Sequence, residues 1–261
     1  MNENESARDA AERITHRPLL TKLEQKIDPA HSALIVIDMQ NDFCAPGGMM
    51  DLEGADLGAV QETAQRLPAL IDAARSAGAL VVFIRNVYST DRNAYLSDVW
   101  LDQMLRRRGD SYTRREVCAA GSWEGDFYAG IGPQKGEPVV TKHRYGAFHN
   151  TDLDTILRVH GIRTVVLTGV ATNACVDTTA REAFVRDYYV VFTADGTACY
   201  SDQAHEATLA TIDKYFGVVV TVAEVAEVWR RHAPQQRDRK PTHHISATAS
   251  SPSPQTRIVR S

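Results

Sequence analysis

The chain has 261 residues, a formal net charge of −4 and a hydrophobic share of 43%. That length suits one large domain with a sizeable core, and the mildly acidic balance excludes the basic footprint of nucleic-acid or anionic-membrane binders. The polar N-terminal stretch lacks the apolar core of a secretory signal, and no window approaches the length of a membrane span, so the expected location is the cytoplasm.

Residues 1–32 read as an N-terminal extension. "ALIVID" at 33–38 predicts a buried strand from its length and β-branched content. "LPALIDAARSAGA" at 67–79 has apolar residues at helical spacing, with Gly78 as the stop. "LVVFIRN" at 80–86 is a second strand. The stretch 88–133, which contains "LRRRGD" and "GSWEGDF", is less regular and reads as a long excursion over the sheet, of the kind that serves as a lid or binding loop. "EPVVTK" at 137–142 is a third strand, "DLDTILRVHG" at 152–161 a helix ended by glycine, and "RTVVLTGV" at 163–170 a fourth strand. A helix follows at 176–187, a fifth strand at 188–195, a helix at 202–216, a sixth strand at 217–222 and a closing helix at 223–232. Residues 234–261 are rich in Pro, Ser, Thr and basic residues and read as a flexible tail or a segment that orders against a neighbouring subunit.

Mostly apolar strands separated by helices predict a three-layer α/β/α domain over 33–233 with a six-stranded, mostly parallel sheet. In such sheets ligands bind beyond the carboxyl ends of the strands, where strand order reverses. The residues to inspect are therefore Asp38, Asn86, Lys142 and the turn Gly169–Cys175.

Three reactive side chains fall at those ends: Asp38, Lys142 and Cys175. A thiol is a nucleophile only as thiolate, and a nearby cation and a helix N-terminus both favour the anion. Lys142 is the candidate cation. Asp38 is the candidate proton carrier, acting as base and then as acid. Backbone N–H groups of the 170–175 turn are candidates to hold an oxyanion. Taken singly, each has a plainer reading: an aspartate that caps a turn, a surface lysine, a small buried thiol. Their joint occurrence at strand ends is what favours chemistry. Cys44 lies close behind Asp38, in a stretch that the Pro46–Gly47–Gly48 turn also explains. Cys118 and Cys199 read as structural, and no cysteine spacing suggests zinc or a disulfide framework. His143 and His149 flank Lys142 and read as surface residues. "GVATNA" is not a dinucleotide-binding loop, so no nucleotide cofactor is expected.

At these residues the chain resembles the cysteine hydrolases of the isochorismatase-like superfamily. The resemblance spans about 33–228. It is carried by "ALIVIDMQNDFCAPGG" with its Asp38, Gln40 and Phe43, by the strand-end Lys142, and by the T-G-V-x-T-x-x-C turn ending at Cys175. It implies a six-stranded parallel sheet flanked by helices and a triad of Asp38, Lys142 and Cys175. It also implies a cis peptide at Val170–Ala171 and oxyanion donors at the N–H groups of Ala171 and Cys175. Lys142 is then expected to keep the thiolate and Asp38 charged. Within the family, "GSW" at 121–123, "RYGAFHNTDLDTILR" and "GVATNACV" look most like the ureidoacrylate amidohydrolases, with biuret and carbamoylsarcosine hydrolases sharing much of this. Nicotinamidases carry an Asp-x-His metal motif after the second strand. Here that place reads "RNVYSTD", so no metal and no other cofactor is expected. The expected activity is cleavage of a C–N bond in a small carbamoyl or ureido-type amide through a covalent cysteine intermediate. A simple, nicotinamide-like amide and a non-catalytic member of the fold are the alternatives. Asn41, Phe43, Asn86, Tyr88, Trp123, Tyr145 and Phe148 are the expected pocket wall. The expected partners are a small-molecule amide, water and further copies of the chain as a dimer or tetramer, with no nucleic acid and no membrane.

Overall fold

The computed structural model of the protein describes residues 3–88, 94–128 and 130–233. The expected tail at 234–261 lies outside the described residues. In chain order the elements are α1 (Glu3–Thr15), α2 (Leu23–Lys26), β1 (Ser32–Ile37), α3 (Asn41–Cys44), α4 (Met49–Leu52), α5 (Gly58–Ala77) and β2 (Leu80–Asn86). The excursion holds α6 (Asp98–Arg108) and α7 (Ser111–Arg114). Then come β3 (Val139–Lys142), α8 (Leu153–Val159), β4 (Thr164–Val170), a π-helical turn Thr172–Val176, α9 (Asp177–Phe184), β5 (Tyr189–Ala198), α10 (Asp202–Tyr215), β6 (Val218–Val220) and α11 (Val222–His232).

The sheet has six strands in the order β3-β2-β1-β4-β5-β6, and every pairing is parallel. All residues of β1 and β4 are buried, as a strand covered on both faces requires. One apolar layer packs α5 and α11 on the sheet through Leu67, Leu70, Val225 and Trp229, with Leu34, Val36 and Val166 from the strands. The opposite layer packs α8, α9 and α10 through Leu157, Ala180 and Ile212 against Ile35, Leu167 and Phe192. No helix among the described residues is long and apolar enough to cross a membrane.

Two elements differ from the sequence reading. Helix α5 starts at Gly58, well before the expected 67, and carries Pro68 in its interior. Proline lacks an N–H and disfavours helix interiors, but Val60, Ala64, Leu67, Leu70, Ile71 and Ala74 form one buried stripe, and that packing holds the helix through the proline. The excursion is not an open loop. Trp100 and Met104 of α6, Tyr112 of α7 and Val117 form a small separate core with Met49, Met50 and Tyr88. The excursion is tied to the main domain by Gln40, whose side-chain amide donates to Asn86 O at 3.0 Å and to Gly125 O at 2.8 Å and whose Oε1 accepts from Asn86 N at 2.6 Å. Asp42 adds to this by accepting from Met49 N at 2.9 Å and Cys118 N at 2.7 Å.

Candidate active site

Strand order reverses at β1, so the carboxyl ends of β1 and β4 open a crevice. Ile37 is in register with both Ile84 and Gly169, and Asn86 with Lys142. Asp38 therefore leaves β1 at the level where Lys142 leaves β3 and where the β4 turn begins. Asp38 has φ of 52°, a left-handed conformation that aspartate tolerates better than most residues. Its N–H donates to Ile84 O at 3.0 Å, which fixes the side chain on the crevice. Gly169 has φ of 108°, and a Cβ there would sit 2.0 Å from Ile37 O, so only glycine lets β4 pass this close to β1. The Val170–Ala171 peptide is cis, as the resemblance implied. Beyond it Val176 N donates to Ala171 O at 3.2 Å, a five-residue span that winds Cys175 into a π-helical turn. Cys175 thus lies inside that turn, just ahead of α9 and continuous with it, close to the expected helix start. Thr172 does not cap the helix; its hydroxyl is 2.9 Å from His205 Nδ1.

Three side chains meet at the floor of the crevice. Lys142 Nζ lies 2.7 Å from Asp38 Oδ2, 3.4 Å from Cys175 Sγ and 3.0 Å from Arg144 O, to which it donates. Asp38 and Lys142 are completely buried and Cys175 nearly so. Burial pushes the Asp38 carboxyl above its ordinary range, against the opposing pull of Lys142. Lys142 is held above its ordinary value: burial lowers it, but the charges of Asp38 and Cys175 outweigh burial. The Cys175 thiol is pushed up to about 12, first by burial and then by Asp38, with Lys142 pulling the other way. Burial thus works against the thiolate that Lys142 was expected to maintain, and Lys142 works for it. A carboxyl of raised pKa that contacts a thiol is suited to take its proton as the sulfur attacks.

Above this floor opens a cavity of about 680 Å³. Among the expected wall residues, Phe43, Tyr88 and Tyr145 line it, with Ala171 and Cys175 of the turn. Asn86 is fully buried beside the Tyr88 hydroxyl, and neither its Oδ1 nor its Nδ2 makes a well-formed hydrogen bond among the described residues. Three expected wall residues lie elsewhere. Asn41 spends its amide on Trp123 O at 2.7 Å, tying α3 to the excursion. Trp123 is 51% exposed and outside the cavity. Phe148 is buried among the α8–α9 layer, against Tyr188. His143 is held away from the cavity, its Nδ1 2.7 Å from Val87 O and its ring stacked on Tyr95. Cys44 is buried in the core, where burial raises its thiol pKa. Cys199, read as structural, lines the cavity. Glu53, Arg107, Arg108, Tyr112 and Tyr200 complete the wall and were missed. Only the helical spacing of Trp100, Met104 and Arg107–Arg108 hinted that the arginines share a face with the excursion's buried residues. Among the described residues no group of three His, Cys, Asp or Glu is placed to hold a metal.

Comparison with known proteins gives one consistent picture. The isochorismatase domain family matches residues 32–224. The ureidoacrylate amidohydrolase RutB of Agrobacterium fabrum is 33% identical over 218 residues, covering 80% of this chain and 94% of that protein. Among solved structures, a cysteine hydrolase from Pseudomonas syringae pv. phaseolicola superposes with a TM-score of 0.68 at 28% identity, covering 83% of this chain and 99% of the other. The N-carbamoylsarcosine amidase of Thermoplasma acidophilum gives 0.57 at 26% identity, covering 74% and 96%.

Proposed function

This chain belongs to the isochorismatase-like family of cysteine hydrolases, and from that membership we propose that it is an amidohydrolase that cleaves a C–N bond of a small carbamoyl or ureido-type amide, ureidoacrylate- or biuret-like, with no metal in the reaction. The observation that carries this reading is the contact of Lys142 Nζ with both Asp38 at 2.7 Å and Cys175 at 3.4 Å on the cavity floor. The relatives named for ureidoacrylate and N-carbamoylsarcosine support the substrate class.

In the proposed reaction Asp38 takes the thiol proton as Cys175 Sγ attacks the carbamoyl carbon. The C–S bond forms and the carbonyl electron pair moves to oxygen, where the N–H groups of Ala171 and Cys175 receive it. The tetrahedral intermediate collapses, the C–N bond breaks, and Asp38 returns its proton to the departing nitrogen. Water then attacks the S-acyl intermediate with Asp38 as base, and Cys175 leaves as thiol. Lys142 stays protonated throughout and holds Asp38 and the sulfur together. Burial raises Asp38, which makes it a stronger base for this proton, and also raises Cys175, which opposes the transfer.

The test is a panel of ureidoacrylate, biuret, N-carbamoyl amino acids and nicotinamide, scored by ammonia or amine release, with intact-protein mass spectrometry for the acyl adduct. The expected result is turnover of ureido or carbamoyl compounds, an adduct on Cys175, and loss of both in Cys175→Ala. Turnover of nicotinamide alone, or activity that survives Cys175→Ala, overturns the reading.

A further inference from the structure

The segment "LRRRGD" ends α6 with three consecutive arginines, and the fold gives each a different environment. Arg106 points outward and pairs with Asp102 at 3.3 Å. Arg108 turns inward and pairs with Glu53, both mostly buried. Arg107 also lines the cavity, where its guanidinium donates to the Tyr145 hydroxyl at 2.7 Å. Among the described residues it has no carboxylate partner.

The charges lining the cavity are Asp38, Glu53, Arg107 and Arg108. Asp38 is neutralised by Lys142 and Glu53 by Arg108. Arg107 is left over, so the cavity carries a net positive charge on a chain whose total is −4. Helical geometry explains the placement. Trp100 and Met104 are the buried residues of α6, and positions three and four further on fall on the same face. The Trp100 ring packs 5.0 Å from Tyr145, which brings the arginine-bearing end of α6 over the cavity. An apolar wall of Phe43, Met50 and Ala55 suits an uncharged chain between a scissile carbonyl and this cation.

We infer that Arg107, with Tyr145, is the anchor for a carboxylate on the substrate, so that the enzyme selects ureido or carbamoyl carboxylic acids over neutral carbamoyl compounds. A guanidinium offers two parallel N–H donors to a carboxylate, and the Tyr145 hydroxyl, which accepts from Arg107, keeps its own proton to donate. This rests on the proposed amidohydrolase reading and narrows its substrate class.

The experiment compares ureidoacrylate with its neutral methyl ester on the wild type, Arg107→Gln and Arg107→Lys. Binding of both compounds is also measured by calorimetry on the Cys175→Ala protein with and without Arg107→Gln. Expected is a preference for the acid of about tenfold to a hundredfold in kcat/KM, the range of a hydrogen-bonded charge. Arg107→Gln removes it, raising KM for the acid far more than for the ester, and Arg107→Lys restores part of it. A wild type that treats acid and ester alike, or an Arg107→Gln protein that weakens both equally, overturns the inference and leaves the amidohydrolase activity standing. Acid-selective, Arg107-dependent binding without turnover of either compound leaves the inference standing and overturns the activity. Binding of neither compound, without turnover, overturns both.

Discussion

Replacing Lys142 by methionine keeps the length of the side chain and removes its charge, leaving Asp38 without its cation in a site from which water is excluded. At 2.7 Å and an effective dielectric constant near 20, the lost Coulomb attraction is about 6 kcal/mol. Part of this is offset because the ammonium no longer needs to be dehydrated, and breaking a buried pair at one partner costs about 3–5 kcal/mol net. The second substitution, Asp38→Asn with Lys142→Met, leaves no buried charge, so most of that loss is recovered and the double-mutant cycle shows strong positive coupling. The pH dependence has a definite sign. Burial already raises the folded-state pKa of Asp38 above the ordinary 3.8, and without Lys142 it rises further. Between 3.8 and that higher value the folded state keeps a proton that the unfolded chain has released. The deficit of Lys142→Met is therefore largest near neutrality and shrinks as pH falls through that window. Urea unfolding at a series of pH values measures this, provided the m-value is unchanged. A Lys142→Met protein within about 1 kcal/mol of wild type at pH 7, or a double variant as unstable as the sum of the singles, would refute the reasoning.

Gly169→Ala sets a Cβ 2.0 Å from Ile37 O at a φ of 108° and is expected to cost about 3 kcal/mol or more; a thermal midpoint equal to wild type counts against that placement. Cys175 in the free protein should react slowly with iodoacetamide at neutral pH. Its rate should climb through pH 9 toward an inflection near 12, whereas an ordinary thiol inflects at about 8.5. The Cys175→Ser protein supplies the background from the other three buried thiols, and a rate plateau below pH 8 would show that a thiolate is already formed. Trp123→Ala, at a site outside the cavity, should leave kcat/KM within about twofold, and a tenfold fall would place that ring against substrate.

Much of the fold was legible in the sequence because its signals are local. β2 occupies the expected 80–86, since a run of buried aliphatics ends there at a charged and a polar residue. Asp38, Lys142 and Cys175 stood out because each ends a strand or the turn after one. Where a local rule met a tertiary contact, the contact prevailed. Pro68 lacks the N–H that a helix interior uses, yet α5 extends well to its N-terminal side because its apolar stripe packs on the sheet. Among the aromatic residues, the sequence could not separate Tyr145, which lines the cavity, from Phe148 three residues on, which turns into the helical layer.

Taken alone, then, the sequence determined the alternation of strands and helices and the three reactive residues at strand ends or in the turn after one, all of which follow from periodicity and residue type along a short stretch of chain. The tertiary structure decided the strand order that opens the crevice beside β1, the burial that raises the Cys175 thiol pKa and the separate environments of Arg106, Arg107 and Arg108. Those depend on burial and on charges brought in from distant positions. The Cys175 thiol is pushed up to about 12 by lost water and an aspartate just past β1, against the pull of a lysine from β3, and no window of sequence around Cys175 contains any of the three.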